Sequence, residues 1–245
     1  MIVIYRENKM TVDITLDVSK NFFNHYINSS YLNISKKKVS EILRNVGTET
    51  GRIGNWFKNY FIVFRECLMV IFLFITLLYI NYKITLLSSF TLFISLFLFY
   101  FPIKKFIYSL GSKSIIFRGK VVDNILNSFS GFIDILIYNQ KKNSSNYFNG
   151  VLRNSLKYEM YKNIISSSPR YFFEIIILIT LFLIILVSLY LGTKPIDSIV
   201  LELTFFSVVF LRMLPSFSLI TSNISQAKFN YPSLLLVSKE LKNKK

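Results

Sequence analysis

Cysteine and histidine are almost missing from this 245-residue chain: Cys67 and His25 are the only ones. A lone cysteine closes no internal disulfide and a lone histidine builds no metal cluster, so a disulfide scaffold and a Cys/His metal centre are both excluded. Glycine and proline are also scarce, at eight and five, which excludes collagen-like repeats and low-complexity linkers. Acidic residues number 13 against 29 Lys and Arg, for a net charge of +16. What is abundant is apolar. Hydrophobic residues make up 52%, including 25 Phe and 15 Tyr, and the mean hydropathy is +0.46. A soluble domain of this length needs less, and the composition reads as a membrane protein.

A helix needs about 20 apolar residues to cross a bilayer. Four stretches qualify: about Tyr60–Ile80, Leu86–Ile103, Tyr171–Leu191 and Ile199–Ile220. The first is interrupted by Arg65 and Glu66, the third carries Glu174, and the fourth carries Glu202 and Arg212. Basic residues retained on the cytoplasmic side set orientation. Of the 29, 25 lie in residues 1–59, 104–170 and the tail after Ile220, whereas the two short connections carry only Lys83 and Lys194. The expected protein is therefore multi-pass, in an inner or plasma membrane, with both termini cytoplasmic. The charge reads as topology, with no nucleic-acid partner. The five apolar residues ahead of Arg6 are too few for a signal peptide, so insertion relies on an internal span.

The segment 104–170 is too long to be structureless. Ile115, Val122, Ile125, Phe129, Phe132, Ile133 and Leu136 recur at helical steps. A polar break follows at 139–146, and Phe148, Val151, Leu152, Leu156 and Met160 resume the period. Two helices of ~30 residues would reach on the order of 40 Å from the membrane. Residues 1–59 repeat the plan: Val12, Leu16, Phe22, Phe23 and Tyr26 on one helix, an end at Asn28-Ser29-Ser30, and a second helix from Val39 rising into the first span. The expected class is an all-α membrane protein of four spans with long cytoplasmic helical extensions. Two hairpins of this kind, each with a short polar tip, suit a chain that passes force from a soluble partner into the membrane.

With these elements placed, the chain resembles the transmembrane domain of type I ABC exporters. Asn24-His25-Tyr26-Ile27-Asn28-Ser29-Ser30-Tyr31, then Glu41-Ile42-Leu43-Arg44-Asn45-Val46 and Glu49, resembles that family's first intracellular loop. Gly131–Tyr138 resembles the approach to its second coupling helix, and Pro169-Arg170-Tyr171-Phe172-Phe173-Glu174 the start of its fifth span. Arg212-Met213-Leu214-Pro215-Ser216 with Tyr231-Pro232-Ser233 is most like the branch that flips lipid-linked oligosaccharides or exports glycans. The likeness covers nearly all of residues 12–236, with departures. Ser30 stands where the family has Pro, and Gln140 where it often has Glu. The family's first two spans and its nucleotide-binding domain have no counterpart, and residues 1–28 look like the end of its second span. The resemblance divides the chain into a first cytoplasmic hairpin (1–59), spans one and two (60–103), a second hairpin (104–170), spans three and four (171–220) and a tail (221–245) toward the nucleotide-binding domain.

The resemblance implies a permease component that moves an amphiphile such as a lipid-linked glycan. ATP and Mg would be bound by a separate nucleotide-binding subunit, with no cofactor on this chain. It also implies a dimer, with itself or with a homologous membrane subunit. Ser29, Ser30, Tyr31, Asn33, Asn139, Gln140 and Ser144 would couple to the partner, and Glu174, Glu202 and Arg212 are candidates for the transport pathway. No catalytic or metal residues are expected. No G-x-x-x-x-G-K-[ST] loop occurs, and the spaced glycines Gly47, Gly51 and Gly54 follow no strand, so they do not read as a phosphate loop. Plainer roles stand beside these. Glu174 pairs with Arg170 one turn away, carbonyls freed by Pro215 take the donors of Arg212, Arg65 and Glu66 are interfacial, Lys36–Lys38 form a solvated face, and His25 is a surface residue. The alternatives are a non-transporting four-span scaffold that docks a cytoplasmic enzyme, or a nonfunctional truncated gene product.

Overall fold

Asn28 and Ser29 end the first helix by turning their side chains back on it. Asn28 Nδ2 donates to the Asn24 carbonyl at 2.9 Å and Ser29 Oγ to that of His25 at 2.6 Å, side-chain bonds that compete with continuation of the helix. In the computed structural model, which describes residues 2–191 and 196–242 with the side chains of 187–199 omitted, this helix is α1 (Ile2–Ile27). Two short helices follow, α2 (Tyr31–Ser35) and α3 (Val39–Leu43). A π-helical turn, Arg44–Glu49, joins α3 to α4 (Thr50–Ile80). Asn81 then caps α5 (Tyr82–Ser130), its Oδ1 accepting from the backbone N–H of Lys83 at 3.2 Å and of Ile84 at 3.3 Å. A six-residue helix, α6 (Phe132–Ile137), precedes α7 (Lys141–Leu191), and α8 (Ile196–Lys242) completes the order. No strand occurs among the described residues.

The protein is all-α, and four of its helices are long and apolar enough to cross a membrane, as befits a multi-pass membrane protein. All four expected spans fall inside them, in α4, α5, α7 and α8. Lys194, counted in the connection before the last span, lies outside the described residues.

The chain divides into two compact units. The span unit comprises Tyr60–Lys104 and Ile164–Ser225. Its core is Leu77, Leu92, Phe173, Ile177, Ile184, Phe206, Phe210, Met213 and Phe217, contributed by all four long helices. Polar ties are few: Thr91 and Thr180 share a 3.2 Å hydrogen bond, and Ser216 Oγ donates to Glu66 Oε2 at 2.8 Å. Glu66 also takes Arg65 at 3.0 Å, so that carboxylate ties α4 to α8 and is not only interfacial.

The hairpin unit comprises Met1–Asn59, Lys105–Asn163 and Gln226–Lys245. One apolar cluster, Phe22, Tyr26, Ile53 and Val237, draws in Ile34 of α2, Ile42 of α3 and Leu234 and Leu241 of α8. Burial of Phe22, Tyr26 and Val237 explains why α1 and the end of α8 stay folded together. Residues 221–242 are therefore not a loose tail: they continue α8, with Ala227, Phe229, Ser233 and Val237 buried. His25 is half-buried, its ring stacked 6.5 Å from that of Phe22, and is not a plain surface residue.

Three further expectations change. The polar break at 139–146 shrinks to the turn at Tyr138–Gln140, because Lys141–Asn146 are already the first turns of α7. Asn139 makes this turn sharp. Its φ of 52° is a conformation Asn tolerates, while its N–H bonds Leu136 O at 3.2 Å and the next N–H bonds Ile135 O at 2.9 Å. The apolar row Ile115–Leu136 is not one buried stripe, since the helix breaks at Gly131. Ile115 is buried, but Ile125, Phe129, Phe132, Ile133 and Leu136 are exposed. Likewise Val12, Leu16 and Phe23 of α1 are exposed, and only Phe22 and Tyr26 of that expected row are buried.

Candidate functional site

A network of charges gathered around the buried Glu49 is the main polar feature of the hairpin unit. Glu49, fully buried, receives Arg118 in bidentate fashion, Nε to Oε1 at 3.1 Å and Nη2 to Oε2 at 3.0 Å. Ser233 Oγ donates to the same carboxylate at 2.5 Å. Arg118 Nη1 also donates to Ser114 Oγ and lies 3.5 Å from Glu159 Oε1. Glu159 in turn takes Arg52 Nη2, and Lys162 at 3.4 Å, while Arg52 Nη1 donates to Asn230 Oδ1 at 3.2 Å. The cations of Arg52 and Lys162 both lie over the Phe229 ring, at 5.6 and 5.5 Å. The π-helical turn with α4, and then α5, α7 and α8, each supply at least one member, so the cluster ties together the four long helices within this unit.

Asn45 and Glu49, four residues apart and so on one face of the π-helical turn, are both buried. Asn45 Nδ2 donates to the Tyr26 hydroxyl at 3.1 Å, and its Oδ1 accepts from Arg44 at 2.8 Å. Burial pulls the Glu159 carboxyl upward, but Arg52, Lys162 and Arg118 outweigh it and hold the group below the ordinary glutamate value. Burial likewise lowers Arg118, opposed by Glu49, and raises Tyr26, opposed by its bond from Asn45. A buried ion pair contributes little net stability against an apolar substitute, because desolvation offsets the attraction. What it enforces is mutual placement.

At the hairpin tips the residues expected to meet a partner divide in two. Ser29 closes α1, Asn139 forms the turn, and Gln140 accepts the Ser144 N–H to start α7. Ser144 Oγ lies 3.2 Å from Ser128 Oγ across the hairpin. These four shape the tips. Ser30, Tyr31 and Asn33 are exposed at the first tip. The outward surface is apolar: Tyr31 and Leu32 on α2 are 83% and 70% exposed, and Ile133, Ile137 and Tyr138 on or beside α6 about as much. Between α5, α6 and α7 lies a groove of about 350 Å³, lined by Ile125, Phe129, Phe132, Ile135 and Phe148 with Lys141 at its edge. Sequence reasoning missed α6 as an element. The available signal was two helix breakers, Gly131 and Asn139, bracketing an apolar run too short for a second helix of the hairpin.

Of the three charges expected in the pathway, Glu202 is half-buried and accepts Asn81 Nδ2 at 3.3 Å, level with the α4–α5 turn. Glu174 and Arg212 are exposed, and neither forms an ion pair or hydrogen bond among the described residues. The expected Glu174–Arg170 pair is not formed among the described residues, and both side chains are exposed on α7. Arg212 does not fold back on the carbonyls near Pro215; it projects from α8. Lys36–Lys38 are not a uniform solvated face either, since Lys37 pairs with Glu240 over the Tyr26 ring and Lys38 lies 3.6 Å from Asp123.

The glycine trio also has a structural account. A Cβ on Gly54 would sit 2.0 Å from Thr15 Oγ1 and 3.1 Å from the Thr11 carbonyl, so Gly54 is where α1 crosses α4. Gly47 and Gly51 face open space. Among the described residues no group of three His, Cys, Asp or Glu is placed to hold a metal ion. No known protein-family model matches this chain.

Proposed function

We propose that this chain is the permease component of an ATP-driven exporter or flippase, working as a dimer with both termini cytoplasmic in an inner or plasma membrane. ATP and Mg bind a separate nucleotide-binding subunit, which docks on the two hairpin tips. The observation that carries this reading is the pair of tips: each ends in a short helix with its large apolar side chains turned outward, α2 through Tyr31 and Leu32 and α6 through Ile133 and Ile137. Exposed apolar residues clustered at the end of a hairpin favour a protein partner. The Glu49–Arg118–Ser233 and Arg52–Glu159 bonds make the helices behind the tips one body. Closure of two nucleotide-binding subunits then tilts α4, α5, α7 and α8 as rigid elements and switches the pathway between inward- and outward-facing states. Glu202, half-buried beside the α4–α5 turn, is the charge that faces that pathway. The cargo is an amphiphile such as a lipid-linked glycan, by resemblance to the exporter branch named above.

The test is purification of the tagged chain from native membranes in mild detergent, with bound proteins identified by mass spectrometry. In a Cys67→Ser background, Asn33→Cys and Ser144→Cys provide cross-linking sites at the two tips. A near-stoichiometric ATP-binding subunit, cross-linked through both positions, is expected. A clean preparation without one, or cross-links only to an unrelated enzyme, overturns the reading.

A further inference from the structure

We infer that Glu174 of one copy of this chain pairs with Arg212 of a second copy across a twofold interface built on α7 and α8. The inference rests on the dimeric reading above and specifies which faces meet. In α8, Leu201, Phe205, Val208, Arg212, Pro215 and Leu219 are all exposed, at the three- and four-residue steps of one helical face. Arg212 therefore sits in the middle of an otherwise apolar stripe. In α7 the exposed face is Tyr171, Ile175, Leu178 and Phe182, with Glu174 between the first two. Both stripes belong to candidate membrane spans. A charge in such a segment is costly unless it meets protein or water. Neither Glu174 nor Arg212 has a partner within its own chain among the described residues.

The two charges are opposite in sign and lie at compatible levels. The Phe173 and Phe217 rings are in contact, 5.6 Å between centroids, which aligns α7 with α8 at those positions. The helices run antiparallel in the span unit. Counting from that level at 1.5 Å per residue, Arg212 and Glu174 differ by roughly 6 Å along the axes, a gap that extended Arg and Glu side chains cover. A twofold interface is self-complementary: if Glu174 meets Arg212 of the second copy, Arg212 meets Glu174 of that copy. One repeat of a single contact thus satisfies Glu174 and Arg212 of both copies, which an apolar partner does not. A bidentate guanidinium–carboxylate pair also fixes register between two otherwise featureless apolar stripes.

The experiment co-expresses two differently tagged full-length chains in a Cys67→Ser background, one with Glu174→Cys and the other with Arg212→Cys. A disulfide-linked heterodimer is expected on mild oxidation in the membrane, with little product from either variant alone. Because these variants remove the charges, a second arm keeps them. Glu174→Arg alone and Arg212→Glu alone each lower the dimer fraction in mild detergent at least about tenfold, and the double variant restores it. Cross-linking only when both cysteines are on one chain, a double variant no better than the singles, or a monomer throughout overturns the inference. The yield of ATP-binding subunit in the preceding purification is read separately, so loss of this pairing and loss of the exporter reading are distinguishable.

Discussion

Glu49 shows why a buried charge is not read from its own sequence neighbourhood. It lies next to Thr50 and Gly51, yet its partners are 69 and 184 positions away, Arg118 and Ser233. Removing Glu49 leaves Arg118 largely buried with only Ser114 and, at 3.5 Å, Glu159, which costs up to about 3–5 kcal/mol. Glu49→Ala is therefore expected to lower stability by that amount in unfolding by SDS titration from mild detergent. The double variant Glu49→Met/Arg118→Met should recover more than half of the loss, since two apolar residues carry no desolvation penalty. Failure of the double to recover would mean that the pair itself, not the orphaned charge, carries the energy. Glu159 gives a pH signature. Its carboxyl is held below the ordinary value of 4.5, so its stabilisation is complete above that value and is lost as pH falls through the lower folded one. A Glu159→Gln variant should be less stable at neutral pH and show a shallower decline on acidification below about 4, measured by the same titration at several pH values.

Glycines separate places where helices touch from places where they do not. A methyl on Gly111 would lie 2.3 Å from the Phe229 carbonyl oxygen, a backbone atom that cannot turn aside. Gly111→Ala should cost about 1–3 kcal/mol by forcing α5 from α8. Gly51 and Gly150 have nothing within 4 Å of the added atom. Replacing each with Ala should raise stability by up to about 1 kcal/mol through helix propensity. Thermal unfolding of the three variants in one detergent checks the contrast, and equal effects would refute this account of α5 against α8. The short helices carry a related lesson. α6 exists because Gly131 and the turn at Tyr138–Gln140 interrupt the hairpin on either side of six residues, and Phe132, Ile133, Leu136 and Ile137 on it are exposed. Lys37, by contrast, is drawn to Glu240 at the far end of α8, so the first tip is held to the hairpin unit by a contact 203 positions apart.

The proposed orientation rests on charge counting and is open to direct measurement. With Cys67→Ser as background, Ser144→Cys should resist a membrane-impermeant maleimide in intact cells and react after permeabilisation, whereas Lys83→Cys should react from outside. The opposite pattern would reverse the topology and place the hairpin tips beyond the reach of any cytoplasmic ATP-binding subunit. The charge excess that sets this orientation is local to the hairpins, with 20 of the 29 basic residues in 1–59 and 104–170. Much of it lies on exposed helix faces, yet Arg52, Arg118 and Lys162 are drawn inside. Charge counting therefore does not identify which cations hold the helices together.

Helix class, the four spans and both hairpins were legible in the chain because each depends on short-range quantities. Apolar length and three- to four-residue periodicity mark helices, and residues such as Asn28, Asn81 and Asn139 mark their ends through hydrogen bonds that reach no further than five positions. Ser29, Asn139, Gln140 and Ser144 lie where helices end or begin, and they shape the turns there. The buried charge network, the exposed α6 and the outward direction of Glu174 and Arg212 were not legible. Which face of a helix is covered depends on helices that arrive from 50 to 180 positions away. A one-residue change of register, such as the π-helical turn at Arg44–Glu49 supplies, redirects a side chain between core and surface. Sequence alone determined which helices are long and apolar enough to cross a membrane and where the chain turns. Packing alone decided which charges are satisfied and which remain for another molecule to meet, because that depends on distance in space and not on order along the chain.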